Sequence, residues 1–320
     1  MTEISNVDID DVRTILASSP FWSTADITVQ HLSGGAAHRN FLVTAGDAKC
    51  VVKIWNNYWE SVGVLPPADV VLANTATAAA LGIGAPLIAV CAEPPGVALE
   101  FLLGKSPTLA ADDDAVTKLI PALHQLHRSG TRFANDINPF EHARTLFAAA
   151  RAQGFSLPAG ISEVESAMAE IEEALDLHSE DFVPCHNDLW DANVITDPTG
   201  NYRLIDWDLA GNTDPSYEVG FLAAQNCFDL ERTNQLIAEY FGSSDPQVHA
   251  RVRLFMAVAH WSNTALWVTA QGNLRPADDF DYEAALQDSW NGLLRELLAP
   301  NFRTLLDTAR HAPRRTHVAA

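Results

Sequence analysis

The sequence predicts an α+β fold in which a small antiparallel sheet precedes a larger helical region. Residues 27–54 alternate between apolar and polar side chains in the manner of strands, with a glycine-containing turn among them. From residue 112 onward, apolar side chains recur at helical spacing instead. Because 320 residues suit two modest domains, we expect one domain over residues 1–103 and a second over residues 104–320.

Each region has a predictable set of elements. The first region is expected to contain strands at residues 27–54, 87–92 and 96–103, and helices at residues 8–17 and 69–81. Gly82 and Gly84 end the second of these helices. The second region is expected to contain helices at residues 112–128, 139–153, 161–177, 216–227, 229–242, 246–271 and 280–297. Its one strand-like interruption surrounds residues 183–211.

Composition and charge restrict the class of protein. Hydrophobic residues make up 48% of the chain, which is enough for real cores, and the formal net charge is −21. Such a charge repels nucleic acid and anionic membranes, so neither is expected as a partner. The four cysteines form no CxxC pair, which argues against a zinc site or a disulfide framework. Neither a signal peptide nor an uninterrupted apolar span is recognisable, so a cytoplasmic location is expected.

The segment over residues 183–211 carries the clearest chemistry, and it reads VPCHNDLWDANVITDPTGNYRLIDWDLAG. Asp188 ends an HxD triad, Asn193 follows five residues later, and Asp206 ends an apolar run. Two carboxylates and an amide on adjacent short segments are what metal-assisted phosphoryl transfer requires. Asp188 can orient the proton of an attacking hydroxyl, and Asn193 and Asp206 offer oxygen ligands to Mg²⁺.

Two features of the first region are candidates for contacts with phosphate groups. The turn Ser33-Gly34-Gly35 lets backbone N–H groups approach phosphate oxygens, although an ordinary hairpin turn has the same sequence features. Lys53 lies within an apolar strand, where a buried ammonium needs a phosphate or a carboxylate as its partner. The alternative is a lysine on an edge strand with its ammonium in solvent.

The order of these parts resembles the protein-kinase-like two-lobe fold, with a small antiparallel-sheet N-lobe and a large helical C-lobe. Within it, the chain looks most like bacterial choline/ethanolamine kinases of the aminoglycoside phosphotransferase superfamily. The resemblance spans roughly residues 30–297, and its motifs are LSGGAAHRNFLV, VVKIW, LGIGAP, LHQLH, VPCHNDLWDANVI, LIDWDLAG and ALWVTAQ. It implies a kinase, monomeric or homodimeric, that uses ATP and Mg²⁺ to phosphorylate the hydroxyl of a small molecule.

The resemblance also implies roles for residues outside the central motif. Glu100 and Leu102 would offer backbone groups to an adenine ring, although a plain strand explains them nearly as well. Asp208 would contact metal or substrate, or cap a turn. His186 and Glu218 would support the catalytic loop without taking part in the chemistry.

Tryptophans are the candidates for the acceptor site. Trp190, Trp261 and Trp267 could form a cation–π wall around a quaternary ammonium group, with core packing as the alternative for each. Trp207 alternates away from Asp206 and is expected in the core. Leu209 stands where choline kinases usually carry a tyrosine, so another small amine, an alcohol or a sugar stays open as the acceptor. Aminoglycosides are less favoured because the chain ends with arginines instead of acids.

One departure from the kinase pattern concerns Lys53. The helix at residues 69–81 carries no glutamate to orient it, and Asp69 is the only acid nearby. Asp69 could substitute, Lys53 could be held differently, or the protein could be a catalytically weak pseudokinase that binds nucleotide. The presence of all the other catalytic residues argues against the last alternative.

Overall fold

A computed structural model describes residues 5–32, 37–112, 114–243, 245–273 and 281–310. The described chain forms a sheet with flanking helices, followed by a helical region. The α+β two-lobe fold predicted from the sequence is therefore confirmed. The division of the chain at residue 104 stays a prediction.

A five-stranded antiparallel sheet forms the N-lobe, in the order β1-β2-β3-β5-β4. Its strands are β1 Thr28–His31, β2 Arg39–Ala45, β3 Ala48–Ile54, β4 Leu87–Ala92 and β5 Pro95–Glu100. Along β3, alternation buries Cys50, Val52 and Ile54 in one core and leaves Lys53 on the opposite face. Helix α1 Asn6–Leu16 belongs to the first core, so Lys53 points away from α1.

The face of the sheet that bears Lys53 is covered by α3. The short helix α2 Tyr58–Ser61 and then α3 Ala68–Ala80 follow β3 along the chain. Val71 and Leu72 of α3 pack with Trp55 and Val97 from the sheet. The apolar stripe of α3 thus fixes this helix beside the strand that carries the lysine.

The C-lobe is a helical bundle around one long central helix. Its helices are α4 Ala115–His127, α5 Pro139–Ala152, α6 Ile161–Leu175, α7 Pro215–Gln225, α8 Leu230–Phe241, α9 Pro246–Asn273, α10 Tyr282–Leu297 and α11 Phe302–Arg310. Helix α9 packs against α5, α7, α10 and α11. Residues 215–224 of α7 are buried in succession, as expected for a helix enclosed on all sides.

Two small antiparallel hairpin-like pairs interrupt the helices. Strand β6 Val183–Cys185 pairs with β9 Gly211–Thr213, and β7 Val194–Thr196 pairs with β8 Tyr202–Leu204. Both pairs lie in the segment that the sequence predicted as strand-like, except that β9 continues two residues beyond its end. They therefore fold the catalytic motif back on itself.

The predicted elements are found with their ends shifted by at most three residues. Within the described residues, two α-helices were not predicted. Helix α2 is too short for a periodic pattern, and α11 follows a break at Ala299-Pro300. Its apolar face, Phe302 with Leu306 and Ala309, is buried. None of the described helices has the length and apolar character needed to cross a membrane.

Candidate active site

The β7–β8 pair brings two predicted metal ligands together. Val194 pairs with Leu204, so the residues just outside the pair, Asn193 and Ile205, are also neighbours. The N–H group of Ile205 donates to the carbonyl oxygen of Asn193 at 2.9 Å. Asp206 follows directly, with a left-handed backbone at φ 65°. A short local hairpin is thus sufficient to place Asn193 beside Asp206.

A pair of hydrogen bonds fixes Asn193 against Asp188. The side-chain nitrogen of Asn193 donates to the carbonyl oxygen of Asp188 at 2.8 Å and to its carboxylate Oδ2 at 2.9 Å. Because the backbone carbonyl oxygen of Asp188 can only accept hydrogen bonds, the amide nitrogen must face Asp188. The amide oxygen of Asn193 is therefore the atom that remains for a cation.

Lys53 joins the two acidic residues of the IDWD sequence. Its Nζ atom donates to Asp206 Oδ1 at 2.6 Å and to Asp208 Oδ2 at 2.7 Å. Burial lowers the pKa of Lys53, but the two carboxylates more than offset this and hold it above its ordinary value. Lys53 is therefore a charged lysine whose side chain is only 12% exposed, and the interpretation of it as a lysine on an edge strand with a solvated ammonium is wrong.

Asp206 and Asp208 differ in their surroundings. The Asp206 side chain is 38% exposed, whereas the Asp208 side chain is 11% exposed and lies between Lys53 and His38. Burial raises the pKa of Asp208, but Lys53 and then His38 more than offset this and bring it well below its ordinary value. Asp206 is thus the more accessible carboxylate for a ligand, and Asp208 is an enclosed, ionised one.

His38 is a site residue that the sequence did not reveal as one. Its Nε2 atom lies 3.1 Å from Asp208 Oδ2, and its Nδ1 atom accepts a hydrogen bond from the backbone N–H of Asn56 at 3.1 Å. Nε2 is thus the ring nitrogen that lies beside the carboxylate, although the two groups are not aligned as a hydrogen bond. No local sequence pattern links His38 to Asp208, because the two residues are far apart along the chain and meet only in the folded structure.

Glu218 braces the catalytic loop from the buried helix α7. Its Oε1 atom accepts hydrogen bonds from the backbone N–H groups of His186 at 2.6 Å and Asn187 at 2.8 Å. Its Oε2 atom bonds to Nε2 of His127, another buried side chain. His186 itself bonds through Nε2 to the carbonyl oxygen of Ile205 at 2.8 Å. These contacts agree with the supporting roles expected for His186 and Glu218.

The candidate nucleotide contacts are only partly described. Ser33, Gly34 and Gly35 lie outside the described residues, so the phosphate-binding turn stays a prediction. The backbone N–H of Glu100, the last residue of β5, donates to the carbonyl oxygen of Pro86, just before β4, at 2.9 Å. Leu102 lies beyond the end of β5 and is half-buried. The contacts of Glu100 and Leu102 with adenine stay predictions.

The tryptophans separate into core and cleft residues. Trp207 is buried beside His186, as expected, with ring centroids 4.6 Å apart. Trp261 is only 1% exposed and packs against Phe140 and Phe147. This placement corrects the prediction of Trp261 as an acceptor contact, because its ring is enclosed in the apolar core of the C-lobe.

Trp190 and Trp267 keep their places as candidates for the acceptor site. Trp190 follows Asp188-Leu189 in the catalytic loop and is 37% exposed. Trp267 is half-buried near the end of α9, with its ring 6.0 Å from that of Tyr282. Their contact with an acceptor stays a prediction.

The ionisation of Asp188 gives a measurable prediction. Burial raises the pKa of Asp188, and the Asp206 carboxylate raises it further, to about 7, against the opposing hydrogen bond from Asn193. In the nucleotide-free, metal-free protein we therefore expect the Asp188 carboxyl carbon to titrate near pH 7 in ¹³C NMR. Asp206→Asn should lower this midpoint, because it removes the negative charge of Asp206 that raises the pKa of Asp188. A midpoint near 4 in the unmodified protein would contradict the expectation.

Solved structures of kinases and phosphotransferases superpose on nearly the whole of this chain. A choline/ethanolamine kinase family protein from Mesorhizobium loti superposes with a TM-score of 0.78 at 21% identity, covering 95% of this chain and 99% of that one. The choline kinase of Streptococcus pneumoniae gives a TM-score of 0.71 at 20% identity, covering 89% and 98%. A spectinomycin phosphotransferase in complex with ADP and spectinomycin gives 0.53 at 14%, covering 94% and 97%. These likenesses confirm the protein-kinase-like fold.

Sequence comparison identifies the family. The chain has no significant match among curated protein sequences. Its residues 28–255, however, match the model of the phosphotransferase enzyme family, and this range includes the sheet and the whole catalytic segment. A match over more than half of the chain confirms the resemblance inferred from the motifs. The protein belongs to the phosphotransferase enzyme family and is a small-molecule kinase.

Proposed function

We propose that the protein transfers the γ-phosphate of ATP to the hydroxyl group of a small, choline- or ethanolamine-like alcohol. The observation that carries this proposal is the cluster of Lys53, Asp188, Asn193 and Asp206. Two carboxylates, an amide oxygen and a buried ammonium converge there from separate segments of the chain. Phosphoryl transfer depends mainly on positioning and electrostatic stabilisation, and this set supplies both.

The donor set of Asn193 and Asp206 fits a magnesium ion. An amide oxygen left over after the amide nitrogen has bonded to Asp188, together with a partly exposed carboxylate, provides the hard oxygen ligands that Mg²⁺ prefers. Bound there, Mg²⁺ would neutralise charge on the nucleotide phosphates. Asn193 and Asp206 would hold the ion, and Lys53 would bind phosphate oxygens.

Asp188 is the residue proposed to orient the acceptor. Its Oδ2 atom is held by Asn193 at 2.9 Å, so the carboxylate has a fixed direction. A hydroxyl group that donates to this carboxylate is aligned for in-line attack on phosphorus. Because the transition state is loose, correct placement of Asp188 matters more than high basicity.

Contacts below the catalytic loop support an acceptor site formed by α7 and α9. Asn226, at the end of α7, donates to the carbonyl oxygen of Leu189 at 3.0 Å. The preceding Gln225 accepts through Oε1 from Asn263 of α9 at 2.6 Å. Trp267 lies one helical turn beyond Asn263, on the same side of α9. An aromatic face at this place would favour a quaternary ammonium group by cation–π attraction.

A second candidate acceptor is a neutral alcohol or sugar. The amides of Gln225 and Asn263 hydrogen-bond with each other, and amides pair well with the hydroxyl groups of a polyol. Leu209 offers neither charge nor an aromatic face. This alternative keeps the phosphoryl transfer and changes only what the acceptor site recognises.

An ADP-release assay with Mg²⁺-ATP tests the acceptor class. We expect stimulation by choline or ethanolamine, and a KM for choline well below that for 3,3-dimethylbutan-1-ol, its neutral isostere. Desolvated cation–π contacts contribute about 2 kcal/mol, so Trp267→Leu should raise the KM for choline by roughly 10- to 30-fold. The KM for the neutral isostere should change little.

The same assay distinguishes the alternatives. Neutral sugars, amino sugars and aminoglycosides complete the panel of acceptors. Stimulation by sugars without a response to choline would replace the first candidate by the second. Equal KM values for choline and its isostere would show that the charge of the acceptor is not recognised.

A further inference from the structure

Lys53 needs an anionic partner, and helix α3 does not supply one. The sole acid of α3 is Asp69, which is exposed in its first turn and accepts a hydrogen bond from the backbone N–H of Val70 at 3.0 Å. Val71 is buried in an apolar cluster. Asn74 is also buried, and its side chain bonds to the Asn135 side chain and to two backbone groups. The interior face of α3 is therefore apolar or amide in character.

Asp208 provides the anion from the other side of the cleft. One oxygen, Oδ2, lies 2.7 Å from Lys53 Nζ and 3.1 Å from His38 Nε2. The backbone N–H of Asn56 donates to Nδ1 of His38. This hydrogen bond orients the ring independently of its contact with Asp208. Trp55 packs on both neighbours, with its ring 5.0 Å from that of His38 and 5.5 Å from Lys53 Nζ. Lys53 is thus held by a rigid, enclosed set of side chains.

Asp206 is less suited to the same role. Its side chain is 38% exposed and belongs to the proposed metal-binding pair, so its interaction with Lys53 competes with that function. Asp208 has neither property, because it is enclosed and has His38 as a second partner. Both acids contact the lysine, but Asp206 is also open to a ligand, whereas Asp208 is enclosed with Lys53 and His38.

Resting on the proposed function, we propose that Asp208, oriented by His38, is the positioning carboxylate of Lys53, in place of a helix glutamate. The pair links the sheet directly to the segment that follows β8, without the participation of α3. Two consequences differ from those of a metal ligand. Loss of Asp208 should alter the state of Lys53 in the nucleotide-free protein, and a longer carboxylate should restore much of the effect.

Acetylation of Lys53 with acetic anhydride tests the contact in the absence of nucleotide and metal. Because Asp208 holds the Lys53 ammonium by a charge-assisted hydrogen bond of 2.7 Å, Asp208→Asn should free the side chain and raise its acetylation rate, followed by mass spectrometry, by about tenfold or more. Asp208→Glu should stay within about threefold of the unmodified protein. His38→Leu should act in the same direction as Asp208→Asn, but less strongly.

Matched controls keep this test specific. Lys118, an exposed lysine of α4 that is ion-paired to Asp112, should be acetylated at the same rate in all variants. Asp47→Asn removes an exposed acid from the β2–β3 turn and should leave Lys53 unchanged. Thermal unfolding of each variant, followed by circular dichroism, separates the loss of this contact from general loosening of the fold.

Steady-state kinetics give the second measurement. We expect Asp208→Asn to lower kcat by more than about tenfold. The KM of the acceptor should stay within about twofold, because the acceptor does not contact Lys53. Asp208→Glu should recover most of kcat. An unchanged Lys53 acetylation rate in Asp208→Asn, combined with a rise in Asp206→Asn, would overturn the proposal and assign the role to Asp206. The acetylation result stands whether or not a kinase acceptor is found, so failure of the two proposals can be distinguished.

Discussion

Replacing Asp188 with asparagine is expected to lower turnover by about 10²- to 10⁴-fold, the range that positioned acid–base groups contribute. The substitution is isosteric, and the new amide oxygen can still accept the hydrogen bond that Asn193 donates to Oδ2. The other atom becomes an NH₂ group, which cannot accept the hydroxyl proton of an acceptor. Folding and nucleotide binding should therefore persist while phosphoryl transfer is lost.

The measurement combines ADP release with titration calorimetry of ADP binding. Asp47→Asn, in the exposed β2–β3 turn, is the matched control and should behave as the unmodified protein. Near-normal turnover in Asp188→Asn would remove Asp188 from the mechanism. Loss of ADP binding in parallel with turnover would instead assign Asp188 to the architecture of the nucleotide site.

Replacing Glu218 with alanine is expected to cost about 3–5 kcal/mol in the free energy of unfolding, because several buried hydrogen-bonding groups are left without their acceptor. Three groups lose their acceptor together: the N–H groups of His186 and Asn187, and the ring of His127. All are buried, so water cannot replace the carboxylate without opening the core. Because two of these groups belong to the catalytic loop, turnover should fall as well.

The cost of Glu218→Ala should depend on pH. Burial raises the pKa of Glu218, but the hydrogen bond from His127 and its other partners more than offset this and hold it below the ordinary value of 4.5. A carboxylate with a depressed pKa contributes stability that is fully present above 4.5 and is lost as the pH falls through its folded-state value. The difference in unfolding free energy between the two proteins should therefore narrow below about pH 4.5.

Urea denaturation at several pH values measures this difference. Glu163→Ala, on the exposed side of α6, is the matched control, with an expected change of less than about 0.5 kcal/mol. A change of that same size in Glu218→Ala would contradict the role of Glu218 as a brace. A loss of unfolding free energy in Glu218→Ala that increased at acid pH would also contradict this role.

The catalytic segment could be predicted because its geometry is local. Asn193 and Asp206 meet across a hairpin whose two strands are joined by a turn of five residues, and Asp188 bonds to a residue only five positions away. Spacing along the chain is enough to specify such contacts. The ends of the helices were predictable to within three residues for the same reason, since caps and periodicity are local signals.

The tryptophans mark the point where sequence patterns become ambiguous. Trp261 and Trp267 lie on the same helix, six residues apart. From the sequence, either indole ring could form an aromatic wall of the acceptor site. One is enclosed by Phe140 and Phe147 and the other is half-buried near the end of α9. Which side of α9 meets α5 depends on packing between helices, and the sequence of α9 alone does not specify it.

The sequence by itself determined the two-lobe α+β fold and the family, and it predicted that Asp188, Asn193 and Asp206 form one group. Only the tertiary structure decided how Lys53 is held. Its carboxylate partners, Asp206 and Asp208, lie far along the chain from the lysine, and His38, which lies beside Asp208, shares no spacing or pattern with either acid. The physical reason is that an ion pair across a cleft forms between whichever charges the packing of the lobes brings within reach, and burial then makes the contact strong.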